Sequence, residues 1–134
     1  MKSITAKPLL FLSQASAFDS FFADMQNFRQ IMPEQIEDWV ADEQSCSFFI
    51  KNLGKLGMVK GISPEEGSYF FPSNEASRVK FTLIFRHHPS SNNSFEGYFE
   101  LQADMNPMVE MMAKRPLTNF VTILSENLQS LLSN

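Results

Sequence analysis

The sequence predicts an α+β fold: a curved antiparallel sheet of about six or seven strands wrapped around a long C-terminal helix. Two short helices follow the first strand. Three observations predict it. From residue 35 to 105 the apolar residues recur with a period of two, with only short turns between the runs. From Pro107 to Leu132 the period becomes helical. A helix of that length is roughly 39 Å long. A globule of this size has a diameter near ~36 Å, so the helix must cross the whole domain. A sheet with one apolar face covers such a helix only by curling around it.

Ile4 to Ser13 reads as the first strand, with Pro8 at a bulge or an edge. Ser13 and Ser16 are candidate N-caps for the first short helix, and Ser16 with Asp19 resembles a capping box. Phe18, Phe21 and Phe22 have the i, i+3, i+4 spacing of one helical face. Asp24 caps a second short helix carrying Met25, Phe28 and Ile31, which Pro33 ends.

Ile36 to Glu43 reads as a strand that is polar on one side. Cys46, Phe48 and Ile50 alternate with Ser47, Phe49 and Lys51 on the next, and Asn52 to Lys55 turns at Gly54 into a strand from Leu56 to Ile62. Ser63 to Gly67 is a turn by composition. Ser68 to Ala76 carries Tyr69 and Phe71 on one face and is interrupted by Pro72. Phe81, Leu83 and Phe85 then alternate with Lys80, Thr82, Ile84 and Arg86. Phe95, Gly97, Phe99, Leu101 and Ala103 alternate with Glu96, Tyr98, Glu100, Gln102 and Asp104. Pro89 to Ser94 is a polar hairpin loop between them. The meander therefore has one apolar face. Asn106-Pro107 is a helix start. The stripe beyond it is Leu117, Phe120, Val121, Leu124, Leu128 and Leu131, with Ser125 among the residues off it. Pro116 removes one backbone bond and is expected to kink the helix.

Composition narrows function by exclusion. The 134 residues carry 11 Lys and Arg against 15 Asp and Glu, a net charge of -4. Such a chain has no broad electrostatic attraction for nucleic acid or an anionic membrane. One cysteine excludes an internal disulfide and makes a thiolate zinc site unexpected. The apolar run Leu9 to Leu12 is too short for a secretion signal, and no stretch reaches the length of a membrane span. The expectation is a cytoplasmic protein forming a single domain over residues 1–134.

The candidate reactive residues each read as structural. His87 and His88 are adjacent on a strand, so they point to opposite faces and do not share a metal ion; both read as strand-end surface residues. Cys46 reads as a small buried hydrophobe. Glu37 and Asp38 read as a solvated edge, Arg86 as part of the polar face, and Lys114-Arg115 as an exposed pair. No catalytic residue, metal ligand or cofactor is predicted. The 14 Phe and 8 Met leave two readings of the interior, a filled core or a ligand chamber.

The chain resembles the START-like (Bet v 1-like, SRPBCC) superfamily, in particular its small bacterial members. The matching residues are Phe18 through Phe22, Asp24-x-x-Asn27-Phe28-x-x-Ile31-Met32-Pro33, Ile36-x-x-Trp39 and Cys46-Ser47-Phe48-x-Ile50. Toward the end they are Ala103-Asp104-Met105-Asn106-Pro107-Met108 and Lys114-x-Pro116-Leu117-x-x-Phe120. These motifs are structural rather than catalytic. Neither the glycine-rich loop of the plant allergens nor the acid/base sets of the polyketide cyclases are present.

The resemblance implies a helix-grip fold with a deep apolar cavity under the C-terminal helix, holding a hydrophobic small molecule or lipid. The expected wall comprises Phe48, Ile50, Phe81, Leu83, Phe85 and Phe99, with Leu101, Met108, Met112 and Phe120. Two rivals stay open. An enzyme acting on apolar substrates requires at least two ionisable side chains pointing inward together. A chaperone-like interaction module requires an exposed apolar patch outside the cavity. The ligand and the oligomeric state are left open.

Overall fold

The computed structural model describes residues 2–91 and 93–132. The first strand is split in two, β1 (Lys2–Thr5) and β2 (Leu9–Phe11). Helix α1 (Ala15–Phe22) and a 3-10 helix (Met25–Ile31) follow. The meander comprises β3 (Glu37–Ala41), β4 (Ser45–Ile50), β5 (Gly54–Val59), β6 (Ser68–Pro72), β7 (Phe81–Ser91) and β8 (Ser94–Ala103), and α2 (Pro107–Leu132) ends the chain. This is the expected antiparallel sheet and long helix. Pro8 supplies the extra strand: it has no N–H for a ladder bond, so β1 and β2 pair with β8 on either side of it.

The strands form two antiparallel groups. One has the order β1-β8-β7-β6, with β2 beside β1 on β8, and the other is β3-β4-β5. The groups meet where β5 passes β6, through a bridge of Met58 to Ser73 and bonds of Asn74 N to Gly57 O (3.0 Å) and Arg78 N to Lys55 O (2.8 Å). The β4–β5 turn needs left-handed backbone at Asn52 (φ 75°) and Gly54 (φ 96°).

Local chemistry sets the helix ends. Asp24 accepts from Gln26 N at 2.9 Å, as an N-cap should, although the helix it starts is 3-10. Asn106 accepts from Val109 N at 2.9 Å at the start of α2. Neither Ser13 nor Ser16 caps α1. Gln14 is the N-cap, with no side-chain bond, and Ser16 already lies inside the helix. The β7–β8 ladder reaches Ser91 opposite Ser94, so the turn is tighter than the expected polar loop; the part of that loop at Asn92 lies outside the described residues.

The grip is closed by rings. Phe18 and Phe22 from α1 and Phe28 from the 3-10 helix enter the concave face of the larger sheet. There Phe18 lies 5.3 Å from Phe85, Phe28 lies 5.0 Å from Phe71, and Phe85 lies 4.9 Å from Phe99. Gly97 makes this possible, because a Cβ there would stand 2.7 Å from Phe85 and 3.1 Å from Phe11.

Helix α2 lies in the grip from Ala113 onward, presenting Leu117, Phe120, Val121, Leu124 and Leu128. Two positions differ from the expected stripe. Leu131 is exposed, and Ser125 is buried. Ser125 serves the break in the first strand. Between β1 and β2 the backbone of Phe99 meets only Ala6, whose N–H donates to Phe99 O (2.9 Å). The Phe99 N–H instead donates to Ser125 Oγ at 3.0 Å, and that hydroxyl donates to Val121 O at 2.9 Å. No helix among the described residues is long and apolar enough to cross a membrane.

Candidate functional site

The most apolar of the open grooves lies on the flank of the grip, between α2 and the segments leading into β3 and out of β4. Pro33 ends the 3-10 helix and Ile36 N donates back to Pro33 O at 3.3 Å, which sets Pro33, Gln35 and Ile36 along one wall. Ile50 and Lys51 come from the end of β4. Pro116, Asn119, Phe120 and Ile123 form the helix wall. The groove they enclose has a volume of about 310 Å³. Its ends are pinned, at one side by Asn127 Nδ2 donating to Ile31 O (2.9 Å) and at the other by the β4–β5 turn, where Leu53 approaches Leu117.

Its floor is aromatic. Phe120 stacks on Phe48 at 5.5 Å, and Phe48 stacks on Trp39 at 6.2 Å. The Lys51 ammonium and the amides of Gln35 and Asn119 are the polar groups of the lining. Such a surface can bury an apolar body and meet one polar or anionic end. It offers no nucleophile and no acid/base pair.

No family model matches the chain, and no curated protein matches it. Solved structures do. A START superfamily protein from Mycobacterium smegmatis superposes with a TM-score of 0.66 over 97% of this chain and 96% of its own, at 16% identity. A protein from Deinococcus radiodurans does so with a TM-score of 0.59 over 98% and 95%, at 11% identity. The chain has the START-like fold. Likeness at these identities shows the scaffold, and the site has to be read from this chain's own residues.

Within the START-like fold the expected wall residues separate into three sets. Phe48, Phe81, Leu83, Phe85, Phe99, Leu101 and Phe120 are buried in the close-packed core. Of these only Phe120 also reaches the groove, where it joins half-buried Ile50. Met108 and Met112 line no interior, being 74% and 68% exposed. The physical reason is that they stand on the outward side of α2, opposite the buried face that begins at Ala113 and continues through Leu117 and Leu124. The deep chamber is likewise filled. Between Leu53, Leu56, Val79, Phe81, Leu101 and Leu117 the space open to a water molecule is about 0 Å³. Sequence reasoning missed Pro33, Gln35, Ile36, Lys51, Pro116, Asn119 and Ile123. The helical spacing of Pro116, Phe120 and Ile123 is the one sequence signal that groups any of them.

A second cluster lies at the opposite end, on α1. The Tyr69 hydroxyl donates to the Asp19 carboxylate, and burial followed by that carboxylate raises the Tyr69 pKa above its ordinary value. His87 is not a surface residue as expected. It stacks on Phe18 at 4.4 Å, half-buried, with Nδ1 buried and unpartnered. Burial lowers its pKa, against the opposing pull of Asp19. The surface role falls to His88, whose Nε2 is 3.9 Å from Glu96. His87 shares the inward parity of Leu83 and Phe85, and that is the signal by which the sequence places it.

The other reactive candidates are structural. Cys46 is buried, and burial, with Asp42, pushes its thiol up to about 12, which makes it a poor nucleophile. Arg86 pairs with Glu65 (2.7 Å) and Glu100 (3.1 Å) on the outer face of the sheet. Among the described residues no three His, Cys, Asp or Glu side chains gather as a metal site would require.

Proposed function

We propose that the chain binds a small amphiphile, an apolar body with an anionic or hydrogen-bonding end, in the groove between α2 and Ile36 and Ile50. The observation that carries this reading is the 310 Å³ of largely apolar space lined by Ile36, Ile50, Phe120 and Ile123, with Phe48 packed behind Phe120 and Lys51 in the lining. A water occupies about 30 Å³ of liquid, so the groove suits about ten heavy atoms. Each buried CH₂ contributes about 0.8 kcal/mol. Immobilisation offsets part of this, leaving dissociation constants in the roughly millimolar to high-micromolar range. Recognition is by burial, without catalysis. The single buried thiol of Cys46 suits a reducing compartment, and we place the protein in the cytoplasm.

Octanoate and octanol test the reading, both having about the right number of heavy atoms for that volume. Trp39 stacks beneath the floor and is the chain's one tryptophan, so its fluorescence reports occupancy. Both ligands are expected to change it saturably. Lys51→Ala is expected to weaken octanoate alone, and Ile123→Asp to abolish both responses. No saturable response from either ligand in the parent chain refutes the proposal.

A further inference from the structure

We propose that the first two turns of α2 dock the protein on an anionic lipid surface. The inference goes beyond ligand binding in the groove and stands on different residues. Met108, Val109, Met111 and Met112 are all exposed, Met111 at 83%. At 3.6 residues per turn they spread over about 160° of the helix circumference. The one charged residue in this stretch, Glu110, turns away and is held by Lys2 at 3.7 Å. A protein groove covers one stripe of a helix. An outward face that is apolar across so wide an arc is matched by a broad apolar layer rather than a narrow groove, which is what the headgroup and acyl boundary of a bilayer offers.

The charges complete the argument. Lys114 and Arg115 come directly after the apolar turns. Lys80 is beside the start of α2, since its carbonyl accepts from Asp104 N at 3.4 Å. Arg78 and Lys55 lie next to it, joined by the bond between their backbones (2.8 Å). None of these five cations makes an ion pair among the described residues. Against these cations stand Asp104 and Glu110 at the same end, Glu110 being paired with Lys2, so this end is net basic although the whole chain carries -4. An apolar helix face lying in the interface sits ~5–10 Å deep. At that depth the cations meet the lipid phosphates. Docking of this kind is reversible and needs no spanning segment.

The test is co-sedimentation of the full chain with phosphatidylcholine vesicles, with and without phosphatidylglycerol. Binding is expected only to the anionic vesicles and is expected to fall with added salt. Lys114→Glu and Arg115→Glu are each expected to weaken partition by at least about fivefold, the worth of one basic residue near an anionic surface. Met111→Ser and Met112→Ser are each expected to weaken it by about tenfold, the worth of a buried apolar side chain. These positions are exposed, so thermal stability serves as the control for folding and is expected to hold. The octanoate response is expected to survive in the methionine variants, which separates this proposal's failure from the groove's.

No binding to anionic vesicles at low salt overturns the proposal. So does binding that the methionine substitutions leave unchanged. Capture of an acidic amphipathic peptide, with vesicles ignored, assigns the surface to a protein partner and overturns the lipid reading.

Discussion

Replacing Ser125 by Ala tests how the interrupted first strand is tolerated. β1 and β2 end on either side of Phe99, which leaves its N–H without a strand carbonyl to donate to and facing the helix instead. Phe99 is fully buried, so its amide has no access to water. Ser125 is the only acceptor it has among the described residues. Removing the hydroxyl orphans a buried donor, which costs about 1–3 kcal/mol. The gain in helix propensity from Ser to Ala returns about 0.5 kcal/mol. The net loss is then about 0.5–2.5 kcal/mol.

Unfolding entropy near 2.1 cal/mol/K per residue converts that to a melting shift of about 2–9 °C for a chain of 134 residues. Urea unfolding with an unchanged slope is the assay. Ser130→Ala, on the exposed side of the same helix, is the control and is expected to be neutral or slightly stabilising. If Ser125→Ala is as stable as Ser130→Ala, the hydroxyl does not serve Phe99, and the account of the strand break is wrong.

Two further predictions concern the aromatic end. Gly97→Ala places a methyl group 2.7 Å from the Phe85 ring and 3.1 Å from Phe11, both without room to retreat, and overpacking of this kind costs about 1–3 kcal/mol; unfolding midpoints that match the parent would show that the rings yield. His87 makes stability depend on pH. Burial holds its folded pKa below the ordinary ~6.5, so as pH falls the unfolded chain takes up the proton first. Its contribution is full above that value and is lost as pH drops through the folded pKa. His87→Phe keeps the stack on Phe18 and is expected to flatten the decline in stability below neutral pH, as read by melts across that range; an unchanged slope would exclude His87 as its source.

Much of the scaffold is legible because it rests on local signals. The alternation in β7 and β8, Asp24 before the 3-10 helix and Asn106-Pro107 before α2 each act within a few residues. The misread positions depend on what another element brings. Ser125 reads as polar and outward until the gap at Pro8, far away in sequence, supplies a donor for it. Ile84 reads as part of a polar face, yet it is fully buried, flanked in register by Phe70 and Glu100, while Arg86 reaches from the same face to Glu100. His87 has an inward parity and a polar side chain, and the packing of Phe18 against its ring decides between them.

The site was less legible than the fold because composition counts apolar groups without saying whether they fill the space between elements. Fourteen phenylalanines fit either a chamber or a plug. What decides is that α1 and the 3-10 helix place Phe18, Phe22 and Phe28 within ring-stacking distance of the sheet, which closes the interior from that end. Leu53 and Leu117 close it from the other. Open volume is then displaced to where α2 cannot follow the sheet. On the flank, Pro116 and Ile123 stand away from Ile36 and Ile50. At the start of the helix, Met108, Met111 and Met112 stand on the side of α2 turned away from the sheet. The two proposals of lipid-like binding thus rest on one helix with different sides: Pro116, Phe120 and Ile123 line the groove, and Met108, Met111 and Met112 face outward.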